Sequence, residues 1–365
     1  MKTWILATAL AIAGHASPAV ATAGILGDDA PPDPAQIMAM PPDLRQAFHR
    51  AVNDRSVSST TRLELLMAFV FDKTDGLGIE YDHAATHTVE QTFRTRKANC
   101  LAFTMLTLVL AREAGLEAKA QRIDEVLSWR QENGHIVRSN HVNTGVRAQQ
   151  RHYTIDVASD DILARNPPRR IADRDLIAMY YSNRAMELVI DGRPDDAMPF
   201  MAMSLQLDSD SADNLSNAGV VALRIGDMVV AERYYRAALE QNARHGGALS
   251  NLSLLYERMG DPLRARQLRL RNESVLKRDP FHQFLQGHAA EAAGNYAAAV
   301  AHYRRAIRLH PGEHRFHFAL ARAYLYGGDA EQAGKALLQA RKLADHDGSA
   351  RYQAKLDLLK ARGGD

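Results

Sequence analysis

The sequence predicts two architectures in series: a mixed α+β unit over residues 40–165 and an all-helical repeat array over 178–347. Three observations predict them. Glycines recur every 34 residues through the second half. A single cysteine opens a long apolar run of helical period in the first half. Two alternating segments follow it, one carrying a histidine and the other an aspartate. The composition suits a chain that buries a core. It has 365 residues, 46% hydrophobic and 24% charged, close to the globular average. Lys and Arg (45) nearly balance Asp and Glu (43), so the clustered basic excess of a nucleic-acid binder is missing. One cysteine rules out an intramolecular disulfide.

The chain opens with Met1-Lys2-Thr3 and an apolar run, Trp4 to Ala13. Small residues at 19, 21 and 23 follow, spaced as a signal peptidase requires. Residues 1–23 are therefore read as a signal peptide of an exported protein, periplasmic or secreted. The alternative is an uncleaved N-terminal anchor. The run is shorter than the roughly 20 residues that span a bilayer. No later segment holds 18 apolar residues in a row, so no membrane span is expected in the mature chain. Residues 24–39, rich in Gly, Pro and Asp, read as a linker. Helices are expected at 42–53 and 60–71.

The cysteine stands in NCLAFTMLTLVLAREAGLEA, residues 99–118. Leu101, Met105, Leu108, Val109 and Arg112 fall at helical spacing, and Gly115 ends the run. Cys100 thus sits in the first turn of a helix of about 15 residues. A thiol there feels about half a positive charge, which favours the nucleophilic thiolate. The bland alternative is a small buried core residue. EAKAQRI, after Gly115, suits a strand. Residues 136–146 alternate as one strand carrying His141, and 151–157 alternate as another carrying Asp156. Together they predict a hairpin. Asn143 shares the strand face of His141, where it either supports a site or points to solvent. NPPRR (166–170) reads as a second linker.

In the second half glycines stand at 192, 226, 260, 294 and 328. Five residues after each comes an alanine, at 197, 231, 265, 299 and 333. Seven residues before each comes a small residue: Ala185, Gly219, Ser253, Gly287 or Ala321. Chance gives four further glycines at set offsets in on the order of one case in 10⁵. A 34-residue unit holds two antiparallel helices. The small residue lets them approach, the glycine supplies the left-handed turn, and neighbouring hairpins stack because one alone cannot bury its apolar face.

This pattern resembles the tetratricopeptide repeat, with units at 178–211, 212–245, 246–279, 280–313 and 314–347. The fourth fits best, with Tyr303, Ala306 and Pro311 in place. The third departs: Arg269 and Asn272 stand where an aromatic and an alanine are usual, which bears on its packing. Residues 348–365 supply a capping helix and tail. The resemblance implies a protein or peptide partner held in the concave groove. Asn183, Asn217 and Asn251 recur at the 34-residue step on the groove-facing helices. They form a candidate ladder of amides that donate and accept to a peptide backbone. The alternative is that asparagine is simply common at that position.

The order Cys100, His141, Asp156, carried by NCLAFTMLTLVLAREAGLEA, HVNTGV and YTIDVA, resembles the transglutaminase-like superfamily of papain-like thiol enzymes. The resemblance covers roughly 60–160. It is closest to exported bacterial proteins that place such a domain before tetratricopeptide repeats. It implies a papain-like α+β fold with Cys100 as nucleophile, His141 as base and Asp156 as orienting acid. Trp129 precedes the His strand, as an aromatic does in many relatives. Ala98-Asn99 stand before the cysteine where many relatives have glycine. The implied chemistry is acyl transfer, as a peptidase or amidase passing the acyl group to water, or as a transamidase passing it to an amine. The rival reading is a non-catalytic envelope scaffold with a degenerate thiol domain. No cofactor or metal is implied. His83 and His87 would align on a helix, and so would His314 and His317, but no further ligand completes either pair.

Overall fold

The computed structural model describes residues 30–52, 57–123, 141–157, 168–344, 349–350 and 352–357, together with the backbone of 129–132 and 135–138. The expected signal peptide lies outside the described residues. Part of the segment read as a linker is folded. Asp33 caps helix α1 (Pro34–Ile37), Ile37 is fully buried, and Tyr181 donates to the Pro32 carbonyl at 2.5 Å. The cause is simple: Ile37 and the partly buried Met38 and Met40 have apolar surface to hide, and the core receives it.

Helices α2 (Pro42–Ala51) and α3 (Ser59–Phe71) follow within one or two residues of their expected bounds. Strand β1 (Glu80–Tyr81) pairs in parallel with β2 (Lys97–Ala98), and α4 (Val89–Thr95) lies between them. Helix α5 (Cys100–Glu113) runs straight from β2 into the core. Strands β3 (Glu117–Ile123), β4 (Trp129–Glu132), β5 (His135–Arg138), β6 (His141–Ala148), β7 (Arg151–Ile155) and β8 (Arg169–Arg170) complete the first half.

The main sheet is antiparallel in the order β7-β6-β3-β8. Gln149 and Gln150 join β6 to β7 with φ of 45° and 65°, the mirror-image turn that matches strand twist. Two expectations change here. Of the strand expected over 136–146, the described residues form β5, paired with β4, and β6, paired with β3 and β7. Asp156 falls one residue past the end of β7. Arg169 and Arg170, expected in a linker, pair with Arg122 and Gln121 and close the edge of the sheet; unmet backbone groups at that edge reward any strand that reaches them.

Ten helices form five hairpins: α6 (Asp173–Ile190) with α7 (Pro194–Leu207), α8 (Ala212–Ile225) with α9 (Met228–Gln241), α10 (Gly246–Arg258) with α11 (Pro262–Lys277), α12 (Pro280–Ala292) with α13 (Tyr296–Leu309), and α14 (His314–Tyr326) with α15 (Ala330–Leu343). All five spaced glycines adopt positive φ, between 74° and 102°. A Cβ on Gly219 would stand 2.5 Å from the Tyr235 ring, and one on Gly287 2.4 Å from that of Tyr303. The five spaced alanines are buried. Tyr352 and Leu356, in helical residues 352–357, cover the last hairpin.

One apolar cluster runs from Ile37 through Leu66, Leu106 and Val146 to Tyr181 and Val221. The α+β unit and the first hairpins therefore share a core. Arg112 grips Asp173 at the start of α6 with two bonds, 2.5 and 2.8 Å. Further along, the core divides. One cluster ends at Leu268 and another begins at Phe281. The third repeat explains the gap. Arg269 stands where Tyr235 and Tyr303 fill their hairpins, and Asn272 where Ala238, Ala306 and Ala340 are buried. Asn272 Oδ1 is itself buried without a hydrogen-bond partner, at a cost of about 1–3 kcal/mol. Asn272→Ala is expected to raise stability by about 1 kcal/mol, read as a higher denaturant midpoint with unchanged slope.

Candidate functional site

Cys100 is the first residue of α5 because Asn99 caps the helix there. Asn99 Oδ1 accepts from the Ala102 N–H at 2.9 Å, and its backbone N–H donates to the Ala85 carbonyl at 3.1 Å. Cys100 is half-buried. The N–H groups of this first turn have no acceptor within the helix, and they point toward the same end as the sulfur.

His141 opens β6, opposite Ile123 of β3, and is buried. Its Nε2 donates to Asp156 Oδ2 at 2.7 Å, and the Cys100 side chain lies close enough to act on its charge. The structure thus brings together all three residues singled out in the α+β unit. Burial works against the imidazolium, but the bond to the Asp156 carboxylate and the neighbouring Cys100 side chain outweigh it and push the His141 pKa up to about 9.

Asn143 points inward rather than to solvent. It is 2% exposed, and its Nδ2 donates to Asp156 Oδ2 at 3.2 Å. The carboxylate oxygen that holds the imidazole is therefore itself held. Asn143 Oδ1 is buried with no hydrogen-bond partner.

Sequence reasoning missed the threonines. Thr104 Oγ1 reaches the Cys100 carbonyl at 2.7 Å and the Val142 carbonyl at 3.1 Å. Thr107 Oγ1 and Thr144 Oγ1 are 2.8 Å apart, and Thr144 also donates to the Thr104 carbonyl at 3.1 Å. All three are essentially inaccessible. They fasten α5 to β6, and so fix Cys100 relative to His141. The signal was available: residues 100, 104 and 107 share a helical face, and two hydroxyls there interrupt an otherwise apolar helix.

Asn183, Asn217 and Asn251 lie on α6, α8 and α10 and are half-buried. Asn217 Nδ2 donates to Ser182 Oγ of the preceding hairpin at 3.0 Å, so this member of the ladder also joins two repeats. Trp129 begins β4, with its backbone opposite Arg138. His83 lies in a turn and His87 in the irregular segment before α4, neither on a helix; His87 Nδ1 is 3.1 Å from Thr95 Oγ1. His314 bonds the Tyr352 hydroxyl at 2.8 Å. Among the described residues no three possible metal ligands gather, and no helix is long and apolar enough to cross a membrane.

Residues 284–348 match the family model of the tetratricopeptide repeat, and the helical array is built of such repeats. The chain is similar to the photosystem I assembly protein Ycf3 of Rippkaea orientalis (strain PCC 8801 / RF-1), 27% identical over 164 residues, which are 44% of this chain and 82% of that protein. Among solved structures it resembles YrrB, described as a TPR protein with an unusual peptide-binding site, at 21% identity over 48% of this chain and 92% of that one, with a TM-score of 0.26. It also resembles pilF of Pseudomonas aeruginosa, at 19% identity over 52% of this chain and 94% of that one, with a TM-score of 0.28.

The folded pKa of His141 lies above its ordinary 6.5. Its interactions therefore stabilise the fold fully below about pH 6.5, and that contribution is lost as pH rises through about 9. Unfolding free energy is expected to fall across this window, and the fall to vanish in His141→Ala. In Asp156→Asn the His141 imidazolium should lose its proton at a lower pH, as read from its ring resonances by NMR.

Proposed function

We propose that this chain is an exported, protein-binding scaffold of the cell envelope, whose repeat array holds a protein or peptide partner. What supports this reading is the run of five stacked hairpins with Asn183, Asn217 and Asn251 at one repeat position. Their amides offer donors and acceptors to an extended backbone.

A second reading, a thiol-dependent acyl transferase with a transglutaminase-like α+β unit, is favoured by a different observation: a half-buried thiol at a helix start neighbours a buried imidazole that is itself bonded to a buried carboxylate. In this reading Cys100 Sγ attacks an amide carbonyl while His141 carries the thiol proton. Asp156, steadied by Asn143, stabilises the imidazolium. The Cys100 N–H, in the first turn of α5, holds the oxyanion. Collapse of the tetrahedral intermediate breaks the C–N bond, and His141 gives its proton to the leaving amine. Water or a second amine then takes the acyl group from sulfur. The two readings join if the array delivers the partner to the thiol.

Reactivity of the thiol decides between a working and an idle triad. In the native protein at neutral pH, Cys100 should react with iodoacetamide far faster than a free thiol. His141→Ala should slow it by about 100-fold, the low end of what a positioned base contributes. Labelling that requires denaturant would overturn the enzymatic reading. For the array, Asn183→Ala with Asn251→Ala should weaken partner binding while leaving the labelling rate unchanged.

A further inference from the structure

Side chains alternate across a strand, so His141, Asn143, Gly145 and Arg147 of β6 share the sheet face opposite the one on which Thr144 meets α5. Cover along that face is graded. His141 and Asn143 are buried, Gly145 is partly open and Arg147 is exposed. The ladder puts Lys119 of β3 and Thr154 of β7 beside Gly145, and Glu117 and His152 beside Arg147. Gln121 stands between Asn143 of β6 and Arg170 of β8. Residue 145 has no side chain, so the Gln121 amide lies over it; a Cβ there would be 2.4 Å from Gln121 Nε2. The result is a cavity of about 230 Å³ with Gly145 and Gln121 at its floor and Lys119, Arg147, His152 and Arg170 at its rim. Among the described residues that line it, Glu117 is the one carboxylate, and Arg147 pairs with it at 3.5 Å. Lys119 and Arg170 leave the cavity positive. Beside the cations lie two acceptors. Gln121 Oε1 and Asn143 Oδ1, on residues paired across β3 and β6, are both out of contact with water and without a hydrogen-bond partner. A buried acceptor left without a donor is a cost, and a ligand that brings N–H groups removes it. A free phosphate or carboxylate answers the cations but not these oxygens. A peptide with an acidic side chain answers both.

We propose that this part of the sheet face recognises an acidic segment of a peptide substrate: a Glu or Asp carboxylate sits over Gly145 between Lys119, Arg147 and Arg170, while main-chain N–H groups meet Gln121 Oε1 and Asn143 Oδ1. This rests on the reading of Cys100, His141 and Asp156 as an acyl-transfer site, and names its substrate class. Asn143 joins the two regions, because its Nδ2 holds the Asp156 carboxylate. From His141 to Gly145 is four residues of β6, or about 13 Å along the strand. An extended peptide covers that distance with about four residues of its own. The acidic side chain therefore lies about four residues from the carbonyl that Cys100 attacks.

The test is fluorescence anisotropy of the full-length folded protein with a fluorescein-labelled peptide of four glutamates flanked by alanines, against its glutamine counterpart. The glutamate peptide should bind at least about tenfold more tightly, the size of a charge-assisted hydrogen bond. Lys119→Ala and Arg170→Ala should each weaken it by up to about fivefold, as exposed ion pairs do, and leave the glutamine peptide unaffected. Gln121→Met, which keeps the length and removes the amide, should weaken both peptides alike. Equal affinity for the two peptides overturns the proposal. So does wild-type affinity in the folded Lys119→Ala, Arg170→Ala double variant. Inorganic phosphate that displaces the labelled peptide as well as unlabelled glutamate peptide does would show a bare anion pocket, and phosphatidylglycerol vesicles that bind through Lys119 and Arg170 when the peptide does not would show a membrane contact; either result overturns it. Alkylation of Cys100 by iodoacetamide separates the two claims. If the glutamate peptide binds as expected but His141→Ala alkylates like wild type, the peptide site stands and the acyl-transfer reading fails. If His141→Ala is slow and the peptide does not bind, only the substrate assignment fails.

Discussion

A seam of buried hydroxyls between α5 and β6 is the constraint on which the site depends. Thr104, Thr107 and Thr144 reach one another and the carbonyls of Cys100, Val142 and Thr104, out of contact with water. Each bond adds only about 1 kcal/mol, but each group left unmatched costs about 1–3 kcal/mol. Apolar contact between a helix and a sheet tolerates sliding; a hydroxyl network does not. Shifting α5 by one residue would strand several polar groups at once. The seam therefore fixes the register of Cys100 against His141 more tightly than the surrounding leucines do.

The sheet supplies the second half of the alignment. β6 pairs with β3 from His141 to Arg147 and with β7 from Thr144 onward, so His141 at its start is tied to the sheet through Ile123 of β3. The turn at Gln149–Gln150 brings the chain straight back. This places Asp156 beside the strand face of His141 and Asn143, one step beyond the Thr144–Ile155 pair. Burial would strip the imidazole of its charge; the carboxylate prevents that. The site is electrostatically self-consistent because the carboxylate that opposes the burial penalty is delivered by the same hairpin as the imidazole.

The array shows how a repeat fails locally without failing globally. Where a tyrosine meets a glycine across the hairpin, as at Tyr235 with Gly219 and Tyr303 with Gly287, the helices close on each other. Where Arg269 and Asn272 replace the ring and the alanine, the core divides. Stability in such arrays is close to a sum of units and nearest-neighbour contacts. A weak third unit thus lowers the coupling between the two ends and leaves each end intact. The N-terminal end is instead joined to the sheet through one apolar cluster.

Local chemistry was legible in the sequence, since helix period and the glycine that ends each first helix of a hairpin act within a few residues of themselves. The 34-residue step fixed five hairpins and their turns, and the apolar run placed Cys100 at a helix start. The helical threonines of the seam were in plain view, yet their role was not, because a threonine in a helix bonds backward to its own turn as readily as across to a strand. The docking of Ile37, the pairing of Arg169 and Arg170 with β3, and the inward turn of Asn143 were equally invisible. Each is decided by a partner more than twelve residues away, and the inward turn of Asn143 depends besides on which face of the sheet is covered. One-dimensional pattern determines which elements form. Only the tertiary structure decides which polar groups meet, because a buried hydrogen bond is set by the position of both its ends.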